Sequence, residues 1–356
     1  MLLQSQLLSE TVQLATNSHL LVINSAADPF VLKAAQQLRA GQITLAEDNI
    51  AALPPEVLPI RQDSVANTSL SNSVAKGVKQ KSPLLYRHVP FHTYVASELP
   101  AIMDVAVMNM LYQPSNVWMM YGLLVAGYAL KPGGHLYVVG AKDRGVLSIA
   151  KRMQAYFGNV ETLAISKGQR VLCSRKNEAF RQNGELPLLE PFAEGKLDEG
   201  THLLLEALEV RTTDEALDIG SGAGFIGIHI ARLATKGHVT MVDASLAAVD
   251  VARQAVEQSG LTNVQVLASN GAQAVLSQGF DLVVTNPPFH QGGIQTTEIA
   301  ELFIREAAQV LRPRGRFYLV ANRFLKYEPT LRACFKMIEE VGGNSRYKVL
   351  RASGPL

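Results

Sequence analysis

"EALDIGSGAGFIG", residues 215–227, begins as a short apolar run, ends that run on a carboxylate, and breaks into glycines before apolar spacing resumes. It reads as a strand, a tight turn and the start of a helix. Asp218 closes the strand, and Gly220, Gly222 and Gly224 let the turn approach a bound molecule with no Cβ in the way. The N–H groups of the turn and helix start face that molecule. Gly222, Gly224 and Gly227 also have the spacing of a dinucleotide loop. Alone, the loop is equally a structural turn or an NAD site.

The neighbouring sequence fixes the fold class. "HVTMVDAS" (238–245), "NVQVLAS" (263–269), "FDLVVT" (280–285) and "RFYLVAN" (316–322) are further apolar runs, separated by segments of helical spacing such as "SLAAVDVARQAVEQSG" and "AELFIREAAQVL". Strands alternating with helices give a mostly parallel α/β sheet covered on both faces, with ligands at the carboxyl ends of the strands. The unusual residues fall at those ends. Asp243 ends the second strand, where a carboxylate accepts from both hydroxyls of a ribose or, as the plainer alternative, serves a helix N-terminus, as Ser245 also would. Asn270 in "ASNG" is placed to meet an adenine edge, or simply makes an Asn-Gly turn.

The fourth strand runs into "NPPFHQGG" (286–293). Pro287 forces Asn286 into an extended conformation, and Pro287 and Pro288 together hold the strand exit in one shape. The Asn286 amide oxygen and nearby main-chain carbonyls then converge as acceptors for a conjugated amine, which offers two N–H donors. Holding both hydrogens on one side aims the nitrogen lone pair at an electrophile, while Phe289 stacks on the planar substrate. No catalytic Ser or Cys and no metal is required. A Pro-Pro turn that merely ends a strand competes for the tetrapeptide alone, but not for the corner together with the glycine loop, Asp243 and Asn270.

The bulk numbers fit such a protein. At 356 residues and 47% hydrophobic, the chain is long enough for two domains. Net charge is +2, unevenly spread: residues 1–183 hold 17 Lys/Arg against 11 Asp/Glu, and the rest 16 against 20. A basic half suits a polyanion, or only a spread of solvated lysines. Cys173 and Cys334 form no metal or redox spacing. The apolar stretch "MYGLLVAGYAL" (120–130) is too short for a bilayer and the N-terminus lacks a secretory signal, so a cytoplasmic protein with no membrane and no metal is expected.

The series "LDIGSGAG", "VDAS", "SNG" and "VVTNPPF" resembles the class I S-adenosylmethionine-dependent methyltransferases that act on amines. "NPPFHQGG", "NRFLKYEP" and "GKLDEGTHLLLEAL" (195–208) are similar, more narrowly, to the ribosomal RNA small-subunit guanine-N2 methyltransferase C family and its large-subunit relatives. The likeness is specific over about 192–351. It implies S-adenosylmethionine as cofactor, ribosomal RNA or the small ribosomal subunit as partner, and methyl transfer to guanine N2. It places Asp218, Gly220, Ser221, Gly222 and Gly224 around the methionine part, Asp243 and Ala244 at the ribose, and Asn270 and Gly271 at the adenine. Asn286, Pro287, Pro288 and Phe289 would form the catalytic corner, with Asn286 also bordering the cofactor, and Phe192, His290, Phe324 and Tyr327 would meet the substrate. The family expects Pro-Gly-Val-Phe-Ser before "GKLD"; here "LLEPFAEGKLD" keeps only Phe192. Methyl transfer to protein glutamine or DNA adenine, whose enzymes use similar corners, and a non-catalytic ribosome-assembly factor are the alternatives.

The first half reads as a decayed copy of the second. "MDVAVMNMLY" (103–112) overlays "FDLVVTNPPF", with Asp104 on Asp281, Asn109 on Asn286 and Tyr112 on Phe289. "LKPGGHLYVV" (130–139) overlays "LRPRGRFYLV" (311–320), and "KGQRVLCSRK" echoes "NSRYKVLRAS". The loop of the first copy, "INSAADPF" (23–30), has no glycine, and Met110 and Leu111 stand for the prolines. Three alignments in one order indicate duplication. The expected architecture is two tandem Rossmann-like methyltransferase domains: 1–175, degenerate and RNA-binding, a linker over 176–194, and a catalytic domain over 195–356. Residues 67–92 are polar, then basic, then aromatic, and read as a solvated loop or as an RNA-contacting arm. In the second reading Lys76, Lys79, Lys81 and Arg87 meet phosphates and Tyr86 or Phe91 meets a base.

Overall fold

The computed structural model describes residues 2–55, 57, 85–177, 197–288, 290, 291, 294, 295 and 297–356. They form two compact units, Met1–Glu47 with Ala52–Leu189 and Asp48–Ala51 with Glu190–Leu356.

In the first unit helix α1 (Leu3–Thr11) precedes β1 (His19–Ile23), α2 (Pro29–Gln37), β2 (Gln42–Glu47) and β3 (Leu85–Pro90). After the single turn α3 (Tyr94–Ser97) come β4 (Met103–Asn109), α4 (Asn116–Ala129), β5 (Leu130–Ala141), α5 (Val146–Phe157), β6 (Glu161–Ser166) and β7 (Gln169–Arg175). The sheet order is β3-β2-β1-β4-β5-β7-β6.

The second unit repeats the plan. It runs α6 (Glu199–Ala207), β8 (Glu215–Ile219), α7 (Phe225–Leu233), β9 (His238–Asp243), α8 (Leu246–Ser259), β10 (Val264–Ala268) and β11 (Phe280–Thr285). A two-residue hairpin, β12 (His290–Gln291) with β13 (Ile294–Gln295), leads to α9 (Glu298–Val310), β14 (Leu311–Asn322), α10 (Glu328–Cys334), β15 (Phe335–Gly343) and β16 (Tyr347–Pro355). Its order, β10-β9-β8-β11-β14-β16-β15, is that of the first sheet position for position. In each sheet the penultimate strand, β7 or β16, pairs antiparallel with both its neighbours, and all other pairings are parallel.

Alternation along the strands builds two apolar layers in the second unit. Leu217, Ile219, Val283 and Phe317 pack with Ala300, Ile304 and Ala307 of α9. Ala216, Leu282, Val284 and Tyr318 face the opposite way, with Ile226 and Ile230 of α7 and Val249 and Ala252 of α8. Asp218 shares the second face. Gly227 stands where α7 crosses β9 so closely that a Cβ would come within 2.1 Å of Met241 Sδ. The third glycine of the loop is therefore a packing requirement.

Paired bonds, one in each unit, confirm the copy. The carboxylate of Asp104 accepts from His19 N (2.8 Å) and Lys131 Nζ (2.7 Å), and that of Asp281 from Glu215 N (3.1 Å) and Arg312 Nη1 (2.6 Å). Asn24 N donates to Ala46 O and Gly220 N to Val242 O, each at 2.8 Å. Both residues have positive φ, +40° for Asn24 and +72° for Gly220, a conformation asparagine tolerates better than other side chains.

The first loop, however, is closed on itself. Asp28 is buried, and its carboxylate accepts from Phe30 N (2.8 Å) and from Asn109 Nδ2 (2.7 Å). Leu111 N donates to Asn109 Oδ1 at 3.0 Å, and the Gln113 amide donates to the Ile23, Asn24 and Asn109 carbonyls. Side chains thus satisfy one another where the second copy has glycine.

Two expectations for residues 67–92 are corrected. "LYRHVP" (85–90) is strand β3, paired in parallel with β2 from Gln42↔Leu85 to Glu47↔Pro90, with proline at the end of an edge strand where its missing N–H is harmless. Phe91 does not meet a base: it is fully buried, stacked 5.5 Å from Trp118 and edge-on to Tyr121 at 5.1 Å. Lys76, Lys79 and Lys81 lie outside the described residues, as does most of the expected linker.

Asp28→Ala should destabilise the chain by about 2–4 kcal/mol, because it removes a helix cap and leaves the buried Asn109 amide unpaired. Urea unfolding followed by tryptophan fluorescence reads this directly, since Trp118 lies in the same unit.

Candidate active site

The carboxyl ends of β8, β9 and β11 carry the residues singled out from sequence. β8 and β11 pair in register from Leu282↔Ala216 to Thr285↔Ile219, and the Thr285 hydroxyl donates to Ile219 O at 2.7 Å. Gly220 and Asn286 follow directly on these paired ends, so strand register alone brings the glycine loop and the proline corner together.

Asp218 is wholly buried. Its Oδ2 accepts from Gly227 N at 2.9 Å, in the first turn of α7, while Oδ1 is buried without a hydrogen-bond partner. Burial, reinforced by the nearby Asp243 charge and only partly opposed by the Gly227 bond, pushes its pKa up to about 7. Val22 holds the corresponding place in β1, so the fold itself does not need a carboxylate there. The Ser221 hydroxyl is likewise buried and unpartnered.

The Asp243 carboxylate braces two loops: Oδ2 accepts from Gly222 N and Oδ1 from Ser245 N, both at 2.8 Å. Burial raises its pKa, and these bonds oppose the rise. Ser245 caps α8 through Ala248 N (3.1 Å), so the carboxylate and the helix cap are separate side chains. Asn270 is half-buried in the turn after β10. Glu306, which sequence reading passed over, holds that turn: it is buried on α9, its Oε2 accepts from Ala272 N at 2.7 Å, and a Cβ on Gly271 would strike it. Its only sequence signal is a charged residue on the apolar face of "FIREAAQV".

At the corner Asn286 is half-buried and Pro287 buried. Asn286 Nδ2 donates to Thr201 Oγ1 at 2.8 Å and lies 3.3 Å from both Asp198 oxygens. A pocket beside the corner is lined by Asn286, Pro287, Asn322, Leu325, Tyr327 and Tyr347, among others. Tyr327 is 1% exposed, so it reaches this pocket from within the core; Phe324 is 62% exposed. Arg87 is engaged by both Glu98 oxygens, at 2.5 and 2.6 Å. Phe192 and Phe289 lie outside the described residues, and of His290 only the backbone pairing with Gln295 is described.

The corner explains its own prolines. In the first unit Leu111 N donates to Asn109 Oδ1. Pro288 occupies the matching position in the second unit and has no N–H to give. The side-chain oxygen of Asn286 therefore lacks the counterpart of the bond that Asn109 Oδ1 receives from Leu111 N.

Among the described residues no group of three His, Cys, Asp or Glu is placed to hold a metal ion, and no helix is long and apolar enough to cross a membrane. The methyltransferase small domain family matches residues 188–351. A ribosomal RNA small subunit methyltransferase C from Hahella chejuensis is 34% identical over 250 residues, 65% of this chain and 72% of that protein. The protein of the same name from Shewanella loihica is 33% identical over 71% of this chain and 78% of its own. Among solved structures, a Thermus thermophilus 16S rRNA N2 G1207 methyltransferase in complex with AdoMet and guanosine superposes with a TM-score of 0.78 at 27% identity, over 98% of this chain and 91% of that one.

Because the folded state holds a proton on Asp218 up to about pH 7 and the unfolded chain releases it near its ordinary value of about 4, the Asp218 contribution to stability is present below that value and is lost as pH rises to 7. Asp218→Asn removes this loss. The melting temperature of the variant relative to the parent should therefore rise between pH 5 and pH 8, and calorimetric scans at the two pH values measure the difference.

Proposed function

The chain belongs to the ribosomal RNA small subunit methyltransferase C family, and we propose that it transfers a methyl group from S-adenosylmethionine to the exocyclic N2 amine of a guanine in 16S ribosomal RNA. The observation that carries this reading is the Asn286 carbonyl oxygen, left as an acceptor beside a glycine loop because Pro288 has no N–H.

The residues of the loop suit the cofactor. A carboxyl oxygen that is buried and unpartnered, Asp218 Oδ1, suits a cationic amino-acid ligand whose charge would offset the burial that holds a proton on it, and the glycine turn admits the ligand's main-chain-like end. When bound, S-adenosylmethionine supplies an electrophilic methyl group on a sulfonium. Asp218 and the Gly220–Gly224 turn hold the methionine end, Asp243 accepts from the ribose hydroxyls, and Asn270, in the turn that Glu306 braces, meets the adenine. Asn286 Oδ1 and a neighbouring carbonyl accept the two guanine N2 hydrogens. That pulls the amine out of conjugation and orients its lone pair along the transfer line. Phe289 and Phe324 offer aromatic faces for the base, which must leave its stack to reach the strand ends. Water is kept from the amine by the buried Pro287 and the apolar pocket wall of Leu325 and Tyr327. A ribosomal RNA substrate would suit a cytoplasmic enzyme.

The first unit, whose loop is filled by its own side chains, serves RNA binding in this reading, with Lys76, Lys79 and Lys81 on phosphates. Its domain limits are proposed at 1–175, with a linker over 176–194. Arg87 is left out of this set because Glu98 holds it.

Incubation with labelled S-adenosylmethionine and, separately, small subunits, large subunits, free 16S RNA, protein and DNA tests the reaction. N2-methylguanosine from the small-subunit rRNA is expected. Methylglutamine, N6-methyladenine in DNA, or no product from any substrate would remove it. Asn286→Ala should leave cofactor affinity nearly unchanged and raise the barrier to single-turnover transfer by roughly 2–4 kcal/mol, as for loss of one preorganised polar group. Replacing Lys76, Lys79 and Lys81 together with alanine should flatten the plot of log affinity for RNA against log salt by about 2 units, read by filter binding.

A further inference from the structure

A half-buried asparagine can present either its oxygen or its nitrogen to a substrate, and the choice is fixed by what the other end meets. At Asn286 that end meets Thr201 and Asp198. The Thr201 backbone N–H donates to Asp198 Oδ1 at 3.0 Å, and its hydroxyl lies 2.5 Å from Asp198 Oδ2. A carboxylate only accepts, so the hydroxyl proton points at Asp198. The hydroxyl oxygen then offers lone pairs alone to Asn286, 2.8 Å away, and the carboxylate offers only acceptors at 3.3 Å. An amide nitrogen satisfies all of these contacts. A carbonyl oxygen turned into that place would face acceptors on every side.

We infer that Asp198 and Thr201 are positioning residues that lock the Asn286 amide with its oxygen toward the substrate amine. This rests on the reaction proposed above, and deepens it by naming what sets the acceptor.

The first unit supplies the control. Helix α1 has the same length and the same place before the first strand as α6, with Leu2 at its N-cap where α6 has Asp198. Leu2 carries no carboxylate and makes no side-chain cap bond, and Ser5, which stands where Thr201 does, has a buried hydroxyl without a partner. Asn109 is instead tied to Asp28, on the loop after β1. Gly224 holds the matching position in the second loop, at φ +86° and with no side chain, so that loop offers Asn286 no carboxylate. The anchor of the asparagine has therefore moved from the ligand loop to the helix behind it, in the unit whose loop is open. A helix cap alone would need Asp198 and its bond to Thr201 N; it would not need the hydroxyl between the carboxylate and Asn286.

The test uses the full chain and two readouts. The side-chain amide proton signals of Asn286, identified by their loss in Asn286→Ala, report the contact without any substrate. Single-turnover transfer at saturating cofactor reports its consequence. Thr201→Val, which keeps shape and removes the hydroxyl, should shift the Asn286 amide signals and reduce the transfer rate roughly tenfold or more while the dissociation constant for S-adenosylmethionine stays within about twofold. Thr201→Ser should restore both. Asp198→Asn keeps a competent helix cap and carries the same test should the valine variant not fold. Asn286→Asp, which sets a second carboxylate against the first, should be far less active than the same change combined with Asp198→Asn. Unmoved amide signals and full transfer in Thr201→Val or Asp198→Asn would overturn the inference. Shifted signals in a chain whose parent form methylates no guanine would uphold the lock and sink the proposed reaction instead.

Discussion

The arrangement of the second unit hangs on the register between its two central strands. Asp281 holds the start of β11 to the opening N–H of β8, and Thr285 holds its end to the Ile219 carbonyl. A slip of one residue would turn Asp218 to the opposite face and carry Asn286 away from the glycine turn. The same bond from Asp104 to His19 fixes the first sheet. Both units have therefore kept the constraint that positions a site, although only one has kept the loop to use it.

Comparing two copies within one chain separates what the fold needs from what the chemistry needs. Packing preserves Leu8 and Leu204, both fully buried, and the paired aspartates. Position for position, the differences at the strand ends include Val22 against Asp218, Asn24 against Gly220, Ala26 against Gly222, Asp28 against Gly224, and Met110 and Leu111 against Pro287 and Pro288. Where the first unit has apolar or mutually satisfied groups, the second has bare backbone, a buried carboxylate oxygen without a partner, or prolines with no N–H. Unpaired buried polar groups are costly, and Asp218 Oδ1 and the Ser221 hydroxyl, both at the end of β8, are two of them that the proposed cofactor would complete.

Much of this was legible in the sequence, because glycine, proline and a carboxylate at a strand end have few conformational options. The strands of the second sheet and the duplication followed from apolar runs and from "MDVAVMNMLY" against "FDLVVTNPPF". What stayed hidden was set by tertiary contact. β3 is short, carries Arg87 and His88, and adjoins a basic segment, so it showed no alternation; only pairing with β2 makes it a strand. Phe91 looked like a base-stacking residue until Trp118 covered it. Asp198 and Thr201 sat within a quoted motif, and the pattern Asp-x-x-Thr signals a helix start, but nothing local says that Asn286, 85 residues from Thr201, shares their hydroxyl.

The closed loop of the first unit has an evolutionary consequence. Its polar side chains are mutually committed: Asp28 serves Asn109, Leu111 serves the other end of that amide, and Gln113 covers the freed carbonyls. Returning any one of these positions to its counterpart in the second unit strands a partner in a dry interior before any ligand can repay the loss. A lineage that drifts into such a network passes through a ratchet, and the first unit stays free to acquire new surfaces but not to regain the old pocket by single steps.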